Sequence, residues 1–158
     1  MTAEAEAETE TVHASAVLAG ARAVLIRGAS GTGKSRLALA LLQAAQAGLL
    51  PFARLVGDDR VHLERSHERL LVRPAAALAG LIEVRGLGIR RLDHEPVAAV
   101  GLVVDLAADD AERLPPVSDT VVSGVRLPRL AVAAGSDPLP GVLALVGGAG
   151  EPHIKPRP

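Results

Sequence analysis

The sequence contains no cysteine, no tryptophan and no tyrosine, and Phe52 is its single phenylalanine. Without cysteine, the chain can form neither a disulfide framework nor a thiolate zinc site. With so few aromatic rings it cannot stack nucleic-acid bases, so any nucleotide must be held mainly through its phosphates. The core must therefore be built from leucine, valine, isoleucine and alanine, and a hydrophobic content of 49% is ample for that.

Charge and hydropathy exclude two further classes of protein. The 17 basic and 18 acidic residues give a net charge of -1, which lacks the basic excess of a general nucleic-acid binder. No stretch reaches the roughly 18 uninterrupted apolar residues of a membrane span. Residues 1–11 also lack the basic start and apolar run of a secretory signal. We therefore predict a cytoplasmic protein that binds neither nucleic acid nor membrane.

The length of 158 residues suits one domain with two short tails. Residues 1–11 are rich in glutamate and almost without large apolar side chains, so they are predicted to form a disordered acidic tail. Residues 12–146 form the predicted domain, and the glycine- and proline-rich residues 147–158 are predicted to be flexible. Inside the domain, many strands follow one strand-helix unit. This order predicts an α/β fold with a mixed β-sheet and few helices.

Apolar periodicity places the individual elements. Strands are predicted at residues 12–18 and 23–27, and the second of them suits a central position because its interior holds no polar residue. A helix is predicted at residues 35–47, from the spacing of its leucines, with Gly48 at its C-terminal end. Further strands are predicted at residues 54–56, 61–64, 70–72, 82–84, 97–106 and 121–132, with one helical turn at residues 75–79.

A glycine-rich segment between the second strand and the helix fits the pattern G-x-x-x-x-G-K-[ST]. Glycines let successive backbone N–H groups turn inward, and the start of a helix adds positive potential, so such a loop cradles phosphate. Lys34, one of only two lysines in the chain, would reach the β- and γ-phosphates of ATP, and Ser35 would hold Mg²⁺. The alternative is a strand-to-helix turn that fits the pattern by accident. The segment comprises Gly28, Ala29, Ser30, Gly31, Thr32, Gly33, Lys34 and Ser35.

Three carboxylates downstream are candidates for catalysis. Asp58 and Asp59 end a predicted strand, where ligand sites of open α/β sheets usually form. One could act as a base on an attacking hydroxyl, and the other could reach Mg²⁺ or a bound water. Glu83 projects from a later strand and could also ligate Mg²⁺. A solvated Asp-Asp turn and a local salt bridge are the alternatives.

Two further side chains are candidates for the same site. Arg113 could add a contact to phosphate, although a surface arginine among acidic residues is the default. His13, the first ring after the acidic tail, could orient a phosphate or a proton, although a lone histidine is more often structural. Both interpretations stay open on the residues alone.

Three segments of the chain together resemble the bacterial HPr kinase/phosphorylase family. They are the glycine-rich loop at residues 28–35, Leu-Val-Gly-Asp-Asp-Arg-Val at residues 55–61, and Ile-Glu-Val-Arg-Gly-Leu-Gly-Ile at residues 82–89. The catalytic domain of this family looks like a relative of the nucleotide-binding part of phosphoenolpyruvate carboxykinase. The resemblance implies a P-loop kinase domain that uses ATP and Mg²⁺ to phosphorylate a serine of the phosphocarrier protein HPr.

The resemblance also implies a role for each candidate residue. It makes Asp59 the acceptor of the serine proton, with Asp58 beside it. The remaining matches are Lys34 to the phosphate-loop lysine, Ser35 and Glu83 to the Mg²⁺ ligands, His13 to the active-site histidine, and Arg113 to the phosphate-contacting arginine.

The chain also departs from the family pattern. Many members remove the serine phosphate by attack of inorganic phosphate, and the basic segment linked to that reaction would fall at residues 134–140, which hold no arginine. Arg36 stands where the family commonly has glutamate. These departures leave phosphorolysis open, and they keep a second hypothesis in play: a nucleotide-gated module that binds ATP or phosphate and a partner without catalysis. Members often assemble through this domain, so a homo-oligomer is a further expectation.

Overall fold

The computed structural model describes residues 9–112 and 116–147. Within these ranges the chain forms eleven β-strands, two α-helices and one 3-10 turn. The elements are β1 Thr9–Val12, β2 Ala14–Ala19, β3 Arg22–Arg27, α1 Lys34–Gln46, β4 Ala53–Gly57, β5 Val61–Ser66, β6 Arg69–Pro74, the 3-10 turn Ala76–Leu78, β7 Leu81–Val84, β8 Gly88–Arg91, β9 Ala98–Leu106, β10 Val117–Val122, β11 Val125–Val132 and α2 Leu139–Val146.

Nine of the strands form one mixed sheet in the order β1-β5-β6-β9-β3-β2-β4, with β11 beside β9 and β10 beside β11. Two pairs, β3 with β9 and β9 with β11, are parallel. The other pairs in this sheet are antiparallel. Strands β7 and β8 make a separate two-stranded hairpin. The predicted mixed sheet with few helices is therefore observed, and the three parallel strands end at the same edge.

The central strands are buried on both faces, which explains their continuous apolar sequence. In β3, Leu25 packs in one hydrophobic cluster and Ile26 in the other, on the opposite face of the sheet. Helix α1 covers the face of Ile26 with Leu37 and Leu41. Its C-terminal end follows the Schellman pattern, because Leu49 N–H donates to the Ala44 carbonyl (2.8 Å) and Gly48, with a φ of 81°, provides the left-handed residue. The predicted helix and its end are confirmed.

Residues 121–132 were expected to be a single strand, and this prediction is wrong. The segment is divided between β10 and β11, which pair as an antiparallel hairpin. The turn consists of Ser123 and Gly124, whose φ values are 49° and 80°. Positive φ at both residues is typical of a type I′ turn, whose twist matches that of the flanking strands. The Ser-Gly pair inside an apolar run was the signal for this turn.

The boundary of the predicted acidic tail also needs correction. Residues 9–11 are not a disordered tail, because they belong to β1, which pairs with β5 from Thr9 opposite Glu64 to Val12 opposite Val61. Most of β1 is exposed on both faces, so no apolar alternation marks it in the sequence. Strand β8 and helix α2 were likewise not predicted. The rest of the N-terminal segment, residues 1–8, and residues 148–158 lie outside the described residues.

Among the described residues, neither helix is both long and apolar enough to cross a membrane.

We expect Leu41→Ala to lower the free energy of unfolding by about 2–5 kcal/mol, because it leaves a cavity between α1 and the sheet. Leu41 is fully buried, whereas Leu49, just beyond the helix, is 60% exposed. The control Leu49→Ala should therefore change stability by less than about 0.5 kcal/mol. Urea unfolding of both variants checks this. Equal losses would contradict the packing described for α1.

Candidate active site

The glycine-rich loop joins β3 to α1, as its sequence predicted. Gly31 and Gly33 have φ values of 85° and 105°, a region that favours glycine. At Gly28 an added Cβ would lie 2.5 Å from Thr32 Oγ1 and 3.3 Å from the Leu106 carbonyl oxygen, so the loop packs tightly against itself and the end of β9. No side chain caps α1 at Gly33. The first N–H groups of the helix are therefore free to meet an anion.

Lys34 closes the inner side of this loop. Its side chain is buried, and its Nζ donates hydrogen bonds to the carbonyl oxygens of Gly28 (2.8 Å) and Ala29 (3.2 Å). An ammonium group has three N–H donors. Two are used on the loop itself, so the third can reach a phosphate oxygen held by the same loop.

The carboxylate of Asp58 joins the loop to three other parts of the chain. Asp58 is only 4% exposed. Ser35 Oγ donates to its two oxygens, at 2.7 and 2.9 Å, and Ser15 Oγ donates to Oδ1 at 2.6 Å. The backbone N–H of Glu83 donates to Oδ2 at 3.2 Å. Strand β2, helix α1, the end of β4 and strand β7 therefore meet at one carboxylate.

Ser15 is a site residue that the sequence analysis missed. It is fully buried in β2, where it stands as the single polar residue of the run Ala-Ser-Ala-Val-Leu-Ala. A buried hydroxyl needs a hydrogen-bond partner, and Asp58 supplies it. A lone serine in an apolar strand was the available signal, but its partner lies 43 residues further along the chain.

Asp59 faces the opposite environment from its neighbour. It is exposed, its φ is 68°, and the Arg60 N–H donates to the Asp58 carbonyl at 2.8 Å. A hydrogen bond between residues two apart around a positive φ describes a γ-turn. Such a conformation costs roughly 1–3 kcal/mol in a residue other than glycine and is typical of functional sites. The turn places one aspartate in the protein interior and the next in the cleft.

A cleft of about 360 Å³ lies beside the loop, within the usual size of small-molecule sites. Residues 30–35 line it together with Asp59 and Glu83, so the structure brings most of the predicted site residues together. His13 is exposed between β1 and β2. Its neighbour Ala14 pairs with Arg27, the residue before the loop, but His13 itself does not line this cleft. Arg113 lies outside the described residues.

A network of ion pairs braces the edge of the sheet from which the loop emerges. Asp105, near the end of β9, accepts two hydrogen bonds from Arg27 (2.7 and 2.8 Å) and one from Arg129 (2.6 Å). Arg129 also binds Asp110 through two hydrogen bonds of 3.0 and 3.1 Å. Because Arg27 directly precedes Gly28, the network fixes the entrance to the loop. These residues were not predicted from the sequence, because they come from three separate strands and the segment after β9.

The network determines the ionisation of Asp105. Burial works to raise the pKa of its carboxyl, but the hydrogen bonds from Arg27 and Arg129, together with their positive charges, outweigh this effect and hold the pKa below its ordinary value. Asp110 and Asp105 in turn raise the pKa of the Arg129 guanidinium. Asp105 and Arg129 are therefore both charged at neutral pH.

The polar groups around the cleft suit a magnesium ion. Ser35, Asp59 and Glu83 line the cleft with hydroxyl and carboxylate oxygens, which Mg²⁺ prefers, and Asp58 holds Ser35 from behind. In the described part of the chain, no three histidine, cysteine or acidic side chains cluster closely enough to hold a metal by themselves. Mg²⁺ in phosphoryl-transfer sites commonly keeps waters and substrate phosphates as ligands beside one or two carboxylates. The donor set fits that arrangement.

Comparison with known families gives one match that covers more than half of the chain. The family model of the HPr serine kinase C-terminal domain matches residues 4–94. This range contains the phosphate loop, the Asp58–Asp59 turn and the hairpin of β7 and β8.

Two curated proteins, both called HPr kinase/phosphorylase, are similar to this range. The protein of Lactobacillus delbrueckii subsp. bulgaricus is 37% identical over 100 residues, which are 63% of this chain and 29% of that protein. The protein of Halalkalibacterium halodurans is 43% identical over 84 residues, 52% of this chain and 25% of that protein. The chain thus matches less than a third of the length of these curated relatives.

A solved structure extends the similarity beyond the family match. The structure of the Hpr(Ser) kinase/phosphatase from Coxiella burnetii superposes with a TM-score of 0.71 over 87% of this chain and 93% of that chain. The sequence identity is 23%, so this comparison bears on the fold alone. With the mixed sheet and the two helices of the described residues, it confirms the predicted fold class.

We expect Asp105→Asn to lower stability at neutral pH by about 1–3 kcal/mol, because two guanidinium groups lose a charged acceptor. A carboxyl whose pKa is depressed by folding stabilises the fold above its unfolded pKa of about 3.9, and this contribution is lost as pH falls through the folded value. The free energy of unfolding should therefore fall less steeply with decreasing pH in the variant. Urea unfolding measured at neutral pH and at a series of acidic pH values tests both effects.

The matched control is Asp119→Asn. Asp119 lies 3.8 Å from Arg126 with both side chains mostly exposed, so this variant should unfold like the unmodified chain. If Asp105→Asn also leaves both the stability and its pH dependence unchanged, the network does not brace the edge of the sheet.

Proposed function

The chain belongs to the family of HPr serine kinase C-terminal domains, and on this premise we propose that it is a protein serine kinase that transfers phosphate from ATP, with Mg²⁺, to an HPr-type phosphocarrier protein. One observation supports the proposal above the others. The phosphate loop, the exposed carboxylate of Asp59 and the side chain of Glu83 line the same cleft. A site that only binds nucleotide needs the loop but no base.

In this proposal the loop holds the phosphates of ATP. Backbone N–H groups of the glycine-rich segment and the uncapped start of α1 face the phosphate oxygens. The remaining N–H of Lys34 reaches the phosphates as a localised positive charge. Positioning and charge stabilisation account for most of the rate enhancement in phosphoryl transfer, so these contacts are the main contribution of the loop.

Ser35 and Glu83 are the proposed Mg²⁺ ligands, with Asp58 behind them. Because Ser35 Oγ donates its hydrogen to Asp58, its oxygen lone pairs are free for a cation in the cleft. Asp58 thereby orients Ser35. When bound, Mg²⁺ would neutralise negative charge that develops on the phosphate oxygens.

Asp59 is the proposed general base. The two oxygens of Asp58 already accept hydrogen bonds from Ser15, Ser35 and the Glu83 N–H, whereas Asp59 is exposed on the cleft. The substrate serine oxygen forms a bond to the γ-phosphorus while the bond from that phosphorus to the bridging oxygen of ADP breaks. The serine proton passes to the Asp59 carboxylate and from there to water.

The remaining assignments carry over from the resemblance as proposals. His13 is proposed as the active-site histidine and Arg113 as the phosphate-contacting arginine. A cytoplasmic location and assembly into a homo-oligomer belong to the same proposal. Phosphorolysis by inorganic phosphate stays open, because residues 134–140 hold no arginine. Arg36 lines the cleft directly after Ser35; this observation favours the second candidate, a nucleotide-gated module without catalysis.

We expect Lys34→Ala to reduce transfer of label from γ-labelled ATP to HPr by about a hundredfold or more, because it removes the positive charge at the phosphates. HPr that lacks its target serine is the control substrate, and thermal unfolding shows whether the variant is folded. If the unmodified chain binds ATP but transfers no label, the module without catalysis replaces the kinase. Near-normal transfer by a folded Lys34→Ala variant would contradict the role given to the loop.

We expect Asp59→Asn to lower kcat by about 10²–10⁴-fold, the usual contribution of a general base. Asparagine tolerates positive φ as well as aspartate does, so the turn and the affinity for MgATP should persist. Steady-state kinetics and equilibrium ATP binding separate the two effects, with the exposed Asp119→Asn as the charge-matched control. A kcat that stays within about twofold of normal would assign the proton transfer elsewhere.

A further inference from the structure

The tip of the hairpin formed by β7 and β8 exposes large apolar side chains. Leu87 and Ile89 are 63% and 66% exposed, more than any other large hydrophobic side chain in the described ranges. The turn is well defined, because the Leu87 N–H donates to the Val84 carbonyl (2.9 Å) and Gly86 has a φ of 85°. Apolar groups held in water by an ordered turn are typical of a surface that binds a partner.

The base of this hairpin is anchored in the active site. The Glu83 N–H donates to Asp58 Oδ2 (3.2 Å), the Leu92 N–H donates to the Gly80 carbonyl (2.7 Å), and Ile82 is buried. The hairpin is therefore fixed at its base and free at its tip.

The register places Ile89 at the rim of the cleft. Glu83 pairs with Ile89 across the hairpin. The N–H of Glu83 points away from β8, toward Asp58. Such a pair is of the non-hydrogen-bonded kind, in which the two side chains share a face and lie close together. Because Glu83 lines the cleft, a macromolecule whose side chain enters the cleft meets Ile89 as well.

The same face carries unbalanced positive charge. Arg91 follows Ile89 by two residues and therefore shares its face. Arg85, in the turn, and Arg90, on the opposite face of β8, are also exposed. Within the part of the chain that the structure describes, none of these three arginines forms an ion pair. A surface with apolar centre and unpaired guanidinium groups complements an apolar patch flanked by carboxylates.

We propose that the hairpin face, defined by Leu87, Ile89 and Arg91, is the docking surface for the protein substrate, which contacts it through an apolar patch flanked by acidic side chains. The proposal rests on the proposed function and adds to it the surface that selects the substrate. A partner that docks there can extend a hydroxyl group past Glu83 at the rim of the cleft and toward Asp59. Leu87, Ile89 and Arg91 contribute affinity for the protein and take no part in the transfer of phosphate, whereas Glu83 at the base of the same hairpin serves the nucleotide site.

Two variants test the docking surface. The double substitution Leu87→Ser and Ile89→Ser should raise the KM for HPr by about tenfold or more, since it removes the apolar contacts. Arg91→Glu should raise it by about threefold or more at low salt and less at high salt, because screening weakens the contribution of an exposed charge. In both variants kcat and the Kd of MgATP should match those of the unmodified chain.

Controls of the same chemistry lie elsewhere on the surface. Val121→Ser is the control for the apolar substitutions, because Val121 is 58% exposed on β10. Arg69→Glu is the control for the charge reversal, because Arg69 is exposed on β6. Neither control should change the KM for HPr. An unchanged KM in the hairpin variants overturns the proposal. A loss of MgATP affinity in these variants also overturns it, because the substituted side chains then belong to the nucleotide site.

A binding measurement separates this proposal from the kinase activity. HPr that lacks its target serine is titrated calorimetrically into the unmodified chain and into the hairpin variants with MgATP present. Binding that the hairpin variants lose supports the docking surface, and it does so even if the unmodified chain transfers no phosphate, in which case the kinase proposal alone fails. No binding of HPr to the unmodified chain overturns the docking surface, whether or not MgATP binds.

Discussion

The carboxylate of Asp58 is the contact on which the geometry of the cleft depends. A buried carboxylate is costly unless hydrogen bonds replace its hydration, and here Ser15, Ser35 and the Glu83 N–H supply them. Each donor comes from a different element, and none is adjacent to another in the sequence. The same interaction therefore stabilises the charge and sets the positions of the phosphate loop and the hairpin relative to each other.

This arrangement gives neighbouring aspartates different chemistry. The γ-turn directs Asp58 into the protein, where its hydrogen bonds hold it in place, and directs Asp59 into the cleft. Behind the loop, the ion pairs of Asp105 with Arg27 and Arg129 join the ends of the three parallel strands. These contacts lie behind the loop, and the hairpin lies at the rim of the cleft. The proposed nucleotide site and the proposed docking surface thus share one buried anchor, Asp58.

Features set by local sequence were predictable, and features set by long-range contacts were not. The loop and α1 were predicted because strand, glycines, lysine and leucine spacing lie within 25 consecutive residues, from 23 to 47. Asp58, Asp59 and Glu83 were found as candidates, but their different environments depend on a turn whose conformation no local pattern specifies. Ser15 and Asp105 were missed because their partners lie far away in the chain. Strand β1 was taken for a tail because pairing with β5, rather than burial, stabilises it.

The most direct test is amide hydrogen exchange of Asp58→Asn, read at Glu83 against Leu92, together with MgATP binding. Leu92 is the internal reference because its N–H donates to the Gly80 carbonyl in the same hairpin base. An asparagine amide cannot accept all the hydrogen bonds of the carboxylate. Protection at Glu83 should therefore fall by about tenfold or more relative to Leu92, and MgATP should bind more weakly. Unchanged protection at Glu83 and unchanged MgATP affinity would show that Asp58 does not hold the site together.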